Sequence, residues 1–345
     1  YETVKLNYGI DYGDGTRHFN PIPNTWFKML NILRFWAGKG VDGFRCDMAH
    51  MVPLEFWNWA ISAVKEHYPD IIFIAEIYDV NLYRDYIKVG QFDYLYDKVN
   101  LYDTLRGIQC SNFSAARITN CWQTVEGIGE NMLNFLENHD EQRFGSDFFG
   151  KDAKNTFAAL AVSLYMNTAP FMVYFGEEVG EKGMDEEGFS GRDGRTTIFD
   201  WWSISSIRRL RHLIQTGEYR HLTVGSLVKA GLKTEEARIF KKFAGFLRFA
   251  ATDSAIGMGT TYDLCYCNYS SEGFDKDRHY AFLRDFEEHT LLVAANFSDK
   301  ETKMKLTIPA HAFEWMEIPV TDQMYPGMTV EVKVAPMDAT VIKIV

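Results

Sequence analysis

The sequence has few cysteines and no pair of them spaced to hold a metal ion. No two cysteines are separated by two residues, which argues against a structural zinc site. Free cysteine is among the residue types most often buried, so we predict that these thiols are mostly buried. They do not indicate a cellular compartment. The 345 residues include five cysteines, an odd number: Cys46, Cys110, Cys121, Cys265 and Cys267.

A basic segment and a long apolar run are also missing. The net charge is −11, and no cluster of Lys and Arg is present to bind phosphates, so we predict no nucleic-acid partner. No apolar run approaches the roughly 20 residues that cross a bilayer, so we predict no membrane span. The opening residues, YETVKLNYGIDYGDG, lack the pattern of a signal peptide. Periplasmic, secreted and cytoplasmic locations all remain open.

Apolar, strand-like runs alternate with helical patterns through the first two thirds of the chain. One helix is predicted over 25–38 with Asn24 as its cap, and another starts at Pro53. Five apolar strands that alternate with helices predict a parallel sheet built from βαβ units. The strand candidates are residues 41–46, 71–76, 92–97, 132–137 and 170–175.

The pattern changes after about residue 256. Short alternating strands separated by turn residues follow, which is typical of an antiparallel β-sandwich. The strand candidates here are residues 279–286, 289–298, 303–310, 328–335 and 339–345. A chain of this length suits one large domain and one smaller domain. We therefore predict two domains, residues 1–255 and residues 256–345.

Polar side chains follow the predicted parallel strands. Asp47 and Glu76 come after the first two strands, and His139 and Asp140 come after the fourth. The carboxyl ends of parallel strands are where such folds place their chemistry. Alternation along a strand puts Arg45 and Asp47 on one face. Two carboxyl groups about 5–5.5 Å apart suit a retaining glycosidase, and an adjacent arginine would keep the attacking carboxylate ionised.

Each of these features also has a purely structural interpretation. Arg45 and Asp47 could form a buried salt bridge, and Glu76 could be an interior charge paired with a cation. His139 and Asp140 could cap a loop or bind a metal ion, although no further ligands stand at a recognisable spacing. Three acids that converge on one end of a sheet favour a functional site, because unpaired buried charges are costly.

Four segments resemble the signatures of the alpha-amylase family, glycoside hydrolase family 13. Their order and spacing match the family, and with the C-terminal sandwich the resemblance covers nearly the whole chain. The resemblance implies a partial (β/α)8 TIM barrel, strands four to eight, in residues 1–255, followed by the β-sandwich domain. The segments are GFRCD (43–47), AEIYD (75–79), ENHD (137–140) and TAPFMVYFGEEVG (168–180).

The resemblance also implies roles for individual residues. Asp47 would attack the anomeric carbon, and Glu76 would protonate the leaving oxygen and then activate water. Asp140 would bind sugar hydroxyls and favour ring distortion, while Arg45 and His139 would contact substrate hydroxyls and the nucleophile. The implied reaction is hydrolysis of α-1,4-glucosidic bonds in starch, glycogen or maltooligosaccharides through a covalent glycosyl-enzyme intermediate.

Two departures from the family pattern lead to further expectations. The family's first signature is absent, so strands one to three would be missing, and five strands cannot close an eight-stranded barrel. We therefore expect a C-terminal piece of a longer enzyme, with the missing N-terminal barrel segment as its partner. His50 and Met51 stand where many members have Lys-His. His50 is a candidate for substrate binding or simply leads into a helix, and calcium stays open because no complete ligand set is recognisable.

Three other functions remain open at this point. A glucan transglycosylase of the same family would use the same residues. A non-catalytic barrel could retain the carboxylates and bind glucan without cleaving it. A metal-dependent hydrolase could use the acids as ligands, although Arg45 beside Asp47 disfavours a cation there.

Overall fold

The computed structural model describes residues 5–184, 192–196, 198, 204–217 and 223–344. The chain forms two compact units. The first runs up to Val99 and includes Thr124–Leu133. The second contains Asn100–Gln123 and the chain from Asn134 onward.

A parallel sheet follows the chain in sequence order, as the alternating pattern predicted. The strand order is β1-β2-β3-β4-β5, and every pairing in this sheet is parallel. The predicted strands are longer than those that form, most clearly for residues 170–175, of which two residues are in strand conformation. The strands are β1 (Gly43–Cys46), β2 (Ile72–Ala75), β3 (Tyr94–Tyr96), β4 (Met132–Phe135) and β5 (Phe171–Met172).

Three α-helices of the first unit accompany these strands: α1 (Asn24–Ala37), α2 (Leu54–Lys65) and α3 (Tyr83–Lys88). The prediction that Asn24 caps α1 is wrong. Pro23 occupies the capping position, no side chain caps the helix, and Asn24 is already helical. The proline ring fixes φ of Pro23, whose ψ of 140° is extended, so the helix begins at the next residue without a polar cap.

Aromatic packing forms the core of the first unit. Trp26 of α1 lies 5.6 Å from Phe56 of α2 between ring centroids, and Trp57 lies 5.1 Å from Phe92. Phe73 of β2 is fully buried and contacts Phe92 edge-on. The high aromatic content of the sequence is thus used largely in the interior, where each such ring buries a large apolar area.

The second unit contains two antiparallel sheets. One has the order β11-β8-β7-β6 and the other pairs β10 with β9. Strand β10 also packs against β8 and β11, which joins the two sheets in layers. The predicted strand over 279–286 is confirmed, whereas the strand over residues 260–263 was not predicted. The strands are β6 (Thr260–Asp263), β7 (His279–Phe286), β8 (His289–Asn296), β9 (Thr302–Thr307), β10 (Thr329–Val334) and β11 (Asp338–Lys343).

Helices cover and connect the sheets of the second unit. Every residue of helix α6 is buried, and the helix packs against α9, β8 and β11. Such a helix needs apolar residues on all sides, as its sequence FAALAVSLY provides. The helices are α4 (Asp103–Cys110), α5 (Arg117–Thr124), α6 (Phe157–Tyr165), α7 (Ser205–Thr216), α8 (Val224–Lys229), α9 (Thr234–Thr252), α10 (Ser254–Met258), α11 (Cys265–Asn268) and α12 (Ala310–Met316).

The cysteines are all free thiols, and Cys46, Cys121 and Cys265 are buried. The prediction of mostly buried thiols is therefore confirmed. Burial raises the pKa of Cys46 to about 12, so this thiol stays protonated and unreactive at neutral pH. Among the helices of the described ranges, none combines the length and the apolar character needed to cross a bilayer.

Candidate active site

The register of β1 and β2 places Asp47 and Glu76 at neighbouring strand ends. Cys46 is paired with Ala75, and the Glu76 amide continues the ladder by donating to the Cys46 carbonyl at 3.1 Å. Asp47 and Glu76 therefore each stand one residue past the paired ends. Since side chains alternate along a strand, both point to the same side as Arg45.

One guanidinium group contacts both carboxylates. Nη1 of Arg45 donates to Oδ1 of Asp47, and Nη2 lies 2.8 Å from Oε1 of Glu76. The guanidinium also lies 5.3 Å from the centre of the Tyr96 ring. Burial lowers the pKa of Arg45, but the hydrogen bond to Asp47, the charge of Glu76 and the interactions with Tyr96 together raise it by more. Arg45 is thus a permanent cation between two acids, which is one of the arrangements expected from the sequence.

The two carboxylates differ sharply in exposure. The Asp47 side chain is 77% exposed, whereas that of Glu76 is 2% exposed. The Tyr78 hydroxyl donates to Oε1 of Glu76 at 2.6 Å, and the Met48 amide donates to Oε2 at 2.9 Å. Asp47 is therefore open to a substrate, while Glu76 is held in a fixed position beside it.

Two groups that hold Glu76, the Tyr78 hydroxyl and the Met48 amide, were not predicted from the sequence. Tyr78 follows Glu76 by two positions, so alternation could have placed it on the same face. The Met48 amide is aimed at Glu76 because Met48 adopts the left-handed conformation, with φ of 44°. That conformation is uncommon for a residue other than glycine, and nothing in the sequence indicates it.

His50 lies in a short 3₁₀ helix, Ala49–Met51, which begins shortly after β1 ends at Cys46. It lines a cleft of about 450 Å³ together with Tyr12 and Tyr86. Its Nδ1 is buried and has no hydrogen-bond partner in the part of the chain that the structure describes. The ring lies 6.1 Å from that of Tyr78, which connects His50 to the Glu76 position through one aromatic contact.

The second unit carries the other predicted acid, at the end of β4. Nε2 of His139 lies 3.2 Å from Oδ2 of Asp140, and both side chains are partly exposed. The loop is capped by Asn138, whose Oδ1 accepts from the amides of Asp140 and Glu141 at 2.9 Å each. Arg195 donates from Nε to the Asp140 carbonyl at 2.6 Å. The side chain that caps this loop is therefore Asn138 and not Asp140.

A buried ion pair holds the same loop in place. Arg143 and Glu137 are fully buried, with Nη1 of Arg143 2.8 Å from Oε2 of Glu137. Arg143 also donates to the Thr196 hydroxyl at 2.7 Å and to the Phe175 carbonyl at 2.8 Å. Glu137 accepts from the Phe144 amide at 2.6 Å. These bonds fix the segment between Glu137 and Phe144, which includes Asp140, against the chain that follows β5.

Within the described ranges, no group of three or more His, Cys, Asp or Glu side chains is arranged to hold a metal ion. The donor sets around Asp47 and Asp140 each include an arginine, whose positive charge opposes a cation at the same place. These residues therefore do not fit a metal centre.

Comparison with known proteins identifies the family. The family model for the alpha-amylase catalytic domain matches residues 22–211, more than half of the chain. The chain belongs to the alpha-amylase family. It is 29% identical over 196 residues to neopullulanase 2 of Thermoactinomyces vulgaris, a match that covers 53% of this chain and 32% of that protein.

Two further matches were found, one in sequence and one in fold. A maltosyltransferase of Rhodospirillum rubrum, alpha-1,4-glucan:maltose-1-phosphate maltosyltransferase, is 47% identical over 53 residues, which are 15% of this chain and 8% of that one. The cyclic alpha-maltosyl-(1→6)-maltose hydrolase of Arthrobacter globiformis has a similar fold, with a TM-score of 0.62 and 17% identity. That match covers 93% of this chain and 60% of the hydrolase. The chain thus spans about a third of the neopullulanase and three fifths of this structure.

Proposed function

We propose that this alpha-amylase family member is a retaining glycosidase that cleaves α-1,4-glucosidic bonds in starch, glycogen or maltooligosaccharides. The observation that carries the proposal is the contact of Arg45 with both Asp47 and Glu76. A single guanidinium in contact with two carboxylates keeps them within a few ångströms of each other. Retaining enzymes need this closeness, because one carboxylate must attack the carbon whose leaving oxygen the other protonates.

In the first step, a carboxylate oxygen of Asp47 attacks the anomeric carbon. The bond from that carbon to the glycosidic oxygen breaks, and Glu76 gives its proton to the leaving oxygen. Arg45 donates a hydrogen bond to Oδ1 of Asp47 and so holds the attacking carboxylate in position. The product of this step is a glycosyl ester of Asp47 and a released sugar chain.

In the second step, Glu76 now acts as a base. It takes a proton from water, the water oxygen bonds to the anomeric carbon, and the ester bond to Asp47 breaks. Glu76 is nearly enclosed, so the sugar oxygen must replace the Tyr78 hydroxyl or the Met48 amide at one of its oxygens. Tyr78 is accordingly a positioning residue for Glu76 in this proposal.

The other predicted residues are proposed to bind substrate. The pair His139–Asp140 presents a ring nitrogen and a carboxylate that suit sugar hydroxyls, as does the unpartnered Nδ1 of His50. We further propose that β1–β5 are strands four to eight of a (β/α)8 barrel. The predicted domain boundary near residue 255, just before β6, is part of the same proposal.

Transfer to a sugar acceptor is the second candidate reaction. It is supported by the identity to a maltosyltransferase, and it would use the same glycosyl ester with a sugar hydroxyl in place of water. Chromatography of products from maltooligosaccharides separates the two reactions. Hydrolysis yields only shorter chains, whereas transfer also yields chains longer than the one supplied.

The decisive experiment compares Asp47→Ala and Glu76→Gln with Asp42→Ala, a change at an exposed acid five residues before Asp47. We expect the first two to lower turnover of maltooligosaccharides by at least about 10²–10⁴-fold, the usual contribution of such groups, with unchanged thermal unfolding. The Asp42 variant should keep its activity. Near-normal turnover in both active-site variants would reject the catalytic assignment. Saccharide binding that is equally strong in Asp47→Ala and in wild type would instead support a non-catalytic glucan-binding barrel, provided that the wild-type protein also releases no reducing ends.

A further inference from the structure

Helix α12 exposes two aromatic side chains on its outer face. His311 and Trp315 are four residues apart, so they lie one above the other on the helix. Their ring planes are tilted by 15°, with centroids 6.4 Å apart. Trp315 is 62% exposed, whereas Ala312, Phe313 and Met316 of the same helix are buried. The buried side chains attach the helix to the protein and leave the two rings turned outward.

A third exposed ring is connected to these two through a buried tyrosine. Tyr266 of α11 is 57% exposed and shares a hydrogen bond between hydroxyls with Tyr262. Tyr262 is buried and lies 5.8 Å from His311 between ring centroids. Tyr262 thus links Tyr266 on one side with His311 and Trp315 on the other. We call the exposed rings of Tyr266, His311 and Trp315 the aromatic platform.

The composition of the platform indicates the kind of ligand that it fits. Exposed tryptophan and tyrosine rings offer broad apolar faces with polar groups at their edges, which suits a partner that is apolar on one side and hydroxylated at its rim. Stacking of nucleic-acid bases on such rings requires a positively charged groove as well. Helix α12 contains no Lys or Arg and carries Glu314, and the chain as a whole has a net charge of −11.

We propose that the aromatic platform binds a neutral glucan chain, at a site separate from Asp47 and Glu76. The pyranose faces would stack on Trp315 and Tyr266, and the sugar hydroxyls would bond to the His311 ring and the tyrosine hydroxyls. Rings on an open surface suit a polymer better than a small sugar, which is normally enclosed in a concave pocket. The glucan class of the ligand rests on the proposed function.

The test measures retention of the full chain in native gels that contain glycogen, compared with gels without it. We expect wild-type protein to be slowed by glycogen, and Trp315→Ala and Tyr266→Ala each to lose at least about half of that effect, with the double variant losing nearly all. Tyr325→Ala is the matched control, because it removes a half-exposed tyrosine that belongs to no part of the platform. Turnover of a short maltooligosaccharide should stay within about twofold of wild type in every one of these variants.

Three outcomes would decide against the platform. Unchanged retention in the double variant would overturn it, as would equal loss in Tyr325→Ala. A change from dimer to monomer in light scattering that accompanies the loss would assign the rings to self-association of two copies. Asp47→Ala separates this proposal from the catalytic one, because that variant should be inactive and yet retained on glycogen as strongly as wild type.

Discussion

Arg45 is the residue on which the proposed chemistry depends most directly. Its two terminal nitrogens contact different carboxylates: Nη1 contacts Asp47 and Nη2 contacts Glu76. Lysine carries the same charge on a single nitrogen and lacks the fixed fork of the guanidinium. Arg45→Lys therefore preserves the charge and removes the simultaneous contact with both acids.

We expect Arg45→Lys to lower kcat by about 10–100-fold, because a lysine ammonium can keep either the hydrogen bond to Asp47 or the ion pair with Glu76 but not both. A hydrogen bond to a charged group is worth about 1.5–3 kcal/mol. The melting temperature should change little. Steady-state kinetics with a maltooligosaccharide measures the effect. The control is Arg238→Lys, at an exposed pair with Glu235, where surface ion pairs contribute little. Wild-type kcat in Arg45→Lys would show that charge alone suffices and that the fork is not used.

Some of this site could be predicted at the level of single residues. Strict alternation places Arg45 and Asp47 on one face, and this pairing is what the structure shows. The same rule could have placed Tyr78 on the face of Glu76. It could not predict the contact of the Met48 amide, which depends on a left-handed φ, or the Arg143–Glu137 pair, which is a buried contact across six residues. Both arise from the packed fold and give no periodic pattern in the sequence.

At the scale of elements, the pairing of β1 with β2 depends on Gly43. A Cβ atom built there would lie 2.5 Å from the carbonyl oxygen of Ile72 in the neighbouring strand. Backbone atoms cannot move aside as a flexible side chain can, so Gly43→Ala must push the two strands apart. Arg45 and Asp47 follow within four residues and would move with β1.

We expect Gly43→Ala to reduce the free energy of unfolding by about 1–3 kcal/mol, as overpacked substitutions do, and to lower turnover as well. Chemical denaturation and kinetics measure the two effects. Gly225→Ala is the matched control, since it lies in α8 with no atom within 4 Å of the added Cβ. Alanine there should leave stability equal or raise it by up to about 1 kcal/mol. Equal behaviour of the two variants would contradict the close approach of the strands.

A second element-scale feature is the group of buried carboxyls next to β5. Glu177 is buried, and burial together with the charge of Glu137 raises its pKa well above the ordinary 4.5. Glu178 and Arg143 face it as well, and the arginine acts in the opposite direction. In the unfolded chain Glu177 loses its proton near pH 4.5, whereas in the folded chain it keeps the proton to a higher pH. Its contribution to stability is therefore complete below about pH 4.5 and is lost as the pH rises through the folded pKa.

Glu177→Gln removes this titration and keeps an acceptor for the Tyr174 amide, which donates to Oε2 at 3.1 Å. We expect the free energy of unfolding of the variant, relative to wild type, to increase with pH above about 4.5, by up to about 1.4 kcal/mol per pH unit. Urea denaturation at several pH values measures the difference. Glu235→Gln changes an exposed acid and should follow the wild-type profile. A constant difference between Glu177→Gln and wild type would rule out the shifted titration.

The elements themselves were predicted where their patterns are long. The alternation over 279–286 gave β7 with its full bounds. Strand β6 has four residues, TTYD, which are too few to show a period. Helix α12 was missed because AHAFEWM is short and lies between strands, so its helical state depends on the packing of Phe313 and Met316.

At the scale of the whole molecule, helix α1 is apolar on two faces. Trp26, Leu30 and Ala37 are buried, and on the opposite side Ile32, Phe35 and Trp36 are 49–56% exposed. A helix with apolar residues on both sides is normally covered on both sides. Together with the open edge of β1, which pairs with β2 alone in the described sheet, this face supports the expectation that further polypeptide packs here.

We propose that the occupant is the N-terminal barrel segment of the same family, three strands with their helices, whether on the same chain or on a second one. The 345-residue chain should then be prone to association, and co-expression with such a segment should give a stable complex with a higher melting temperature, measured by light scattering and thermal unfolding. Phe35→Glu should prevent the complex, because a buried unpaired charge is costly. Met258→Glu, at an exposed apolar residue of α10, should not. A monodisperse, fully active species whose intact mass is that of the 345 residues alone would contradict the proposal, since α1 would then be stable in water with its outer face uncovered.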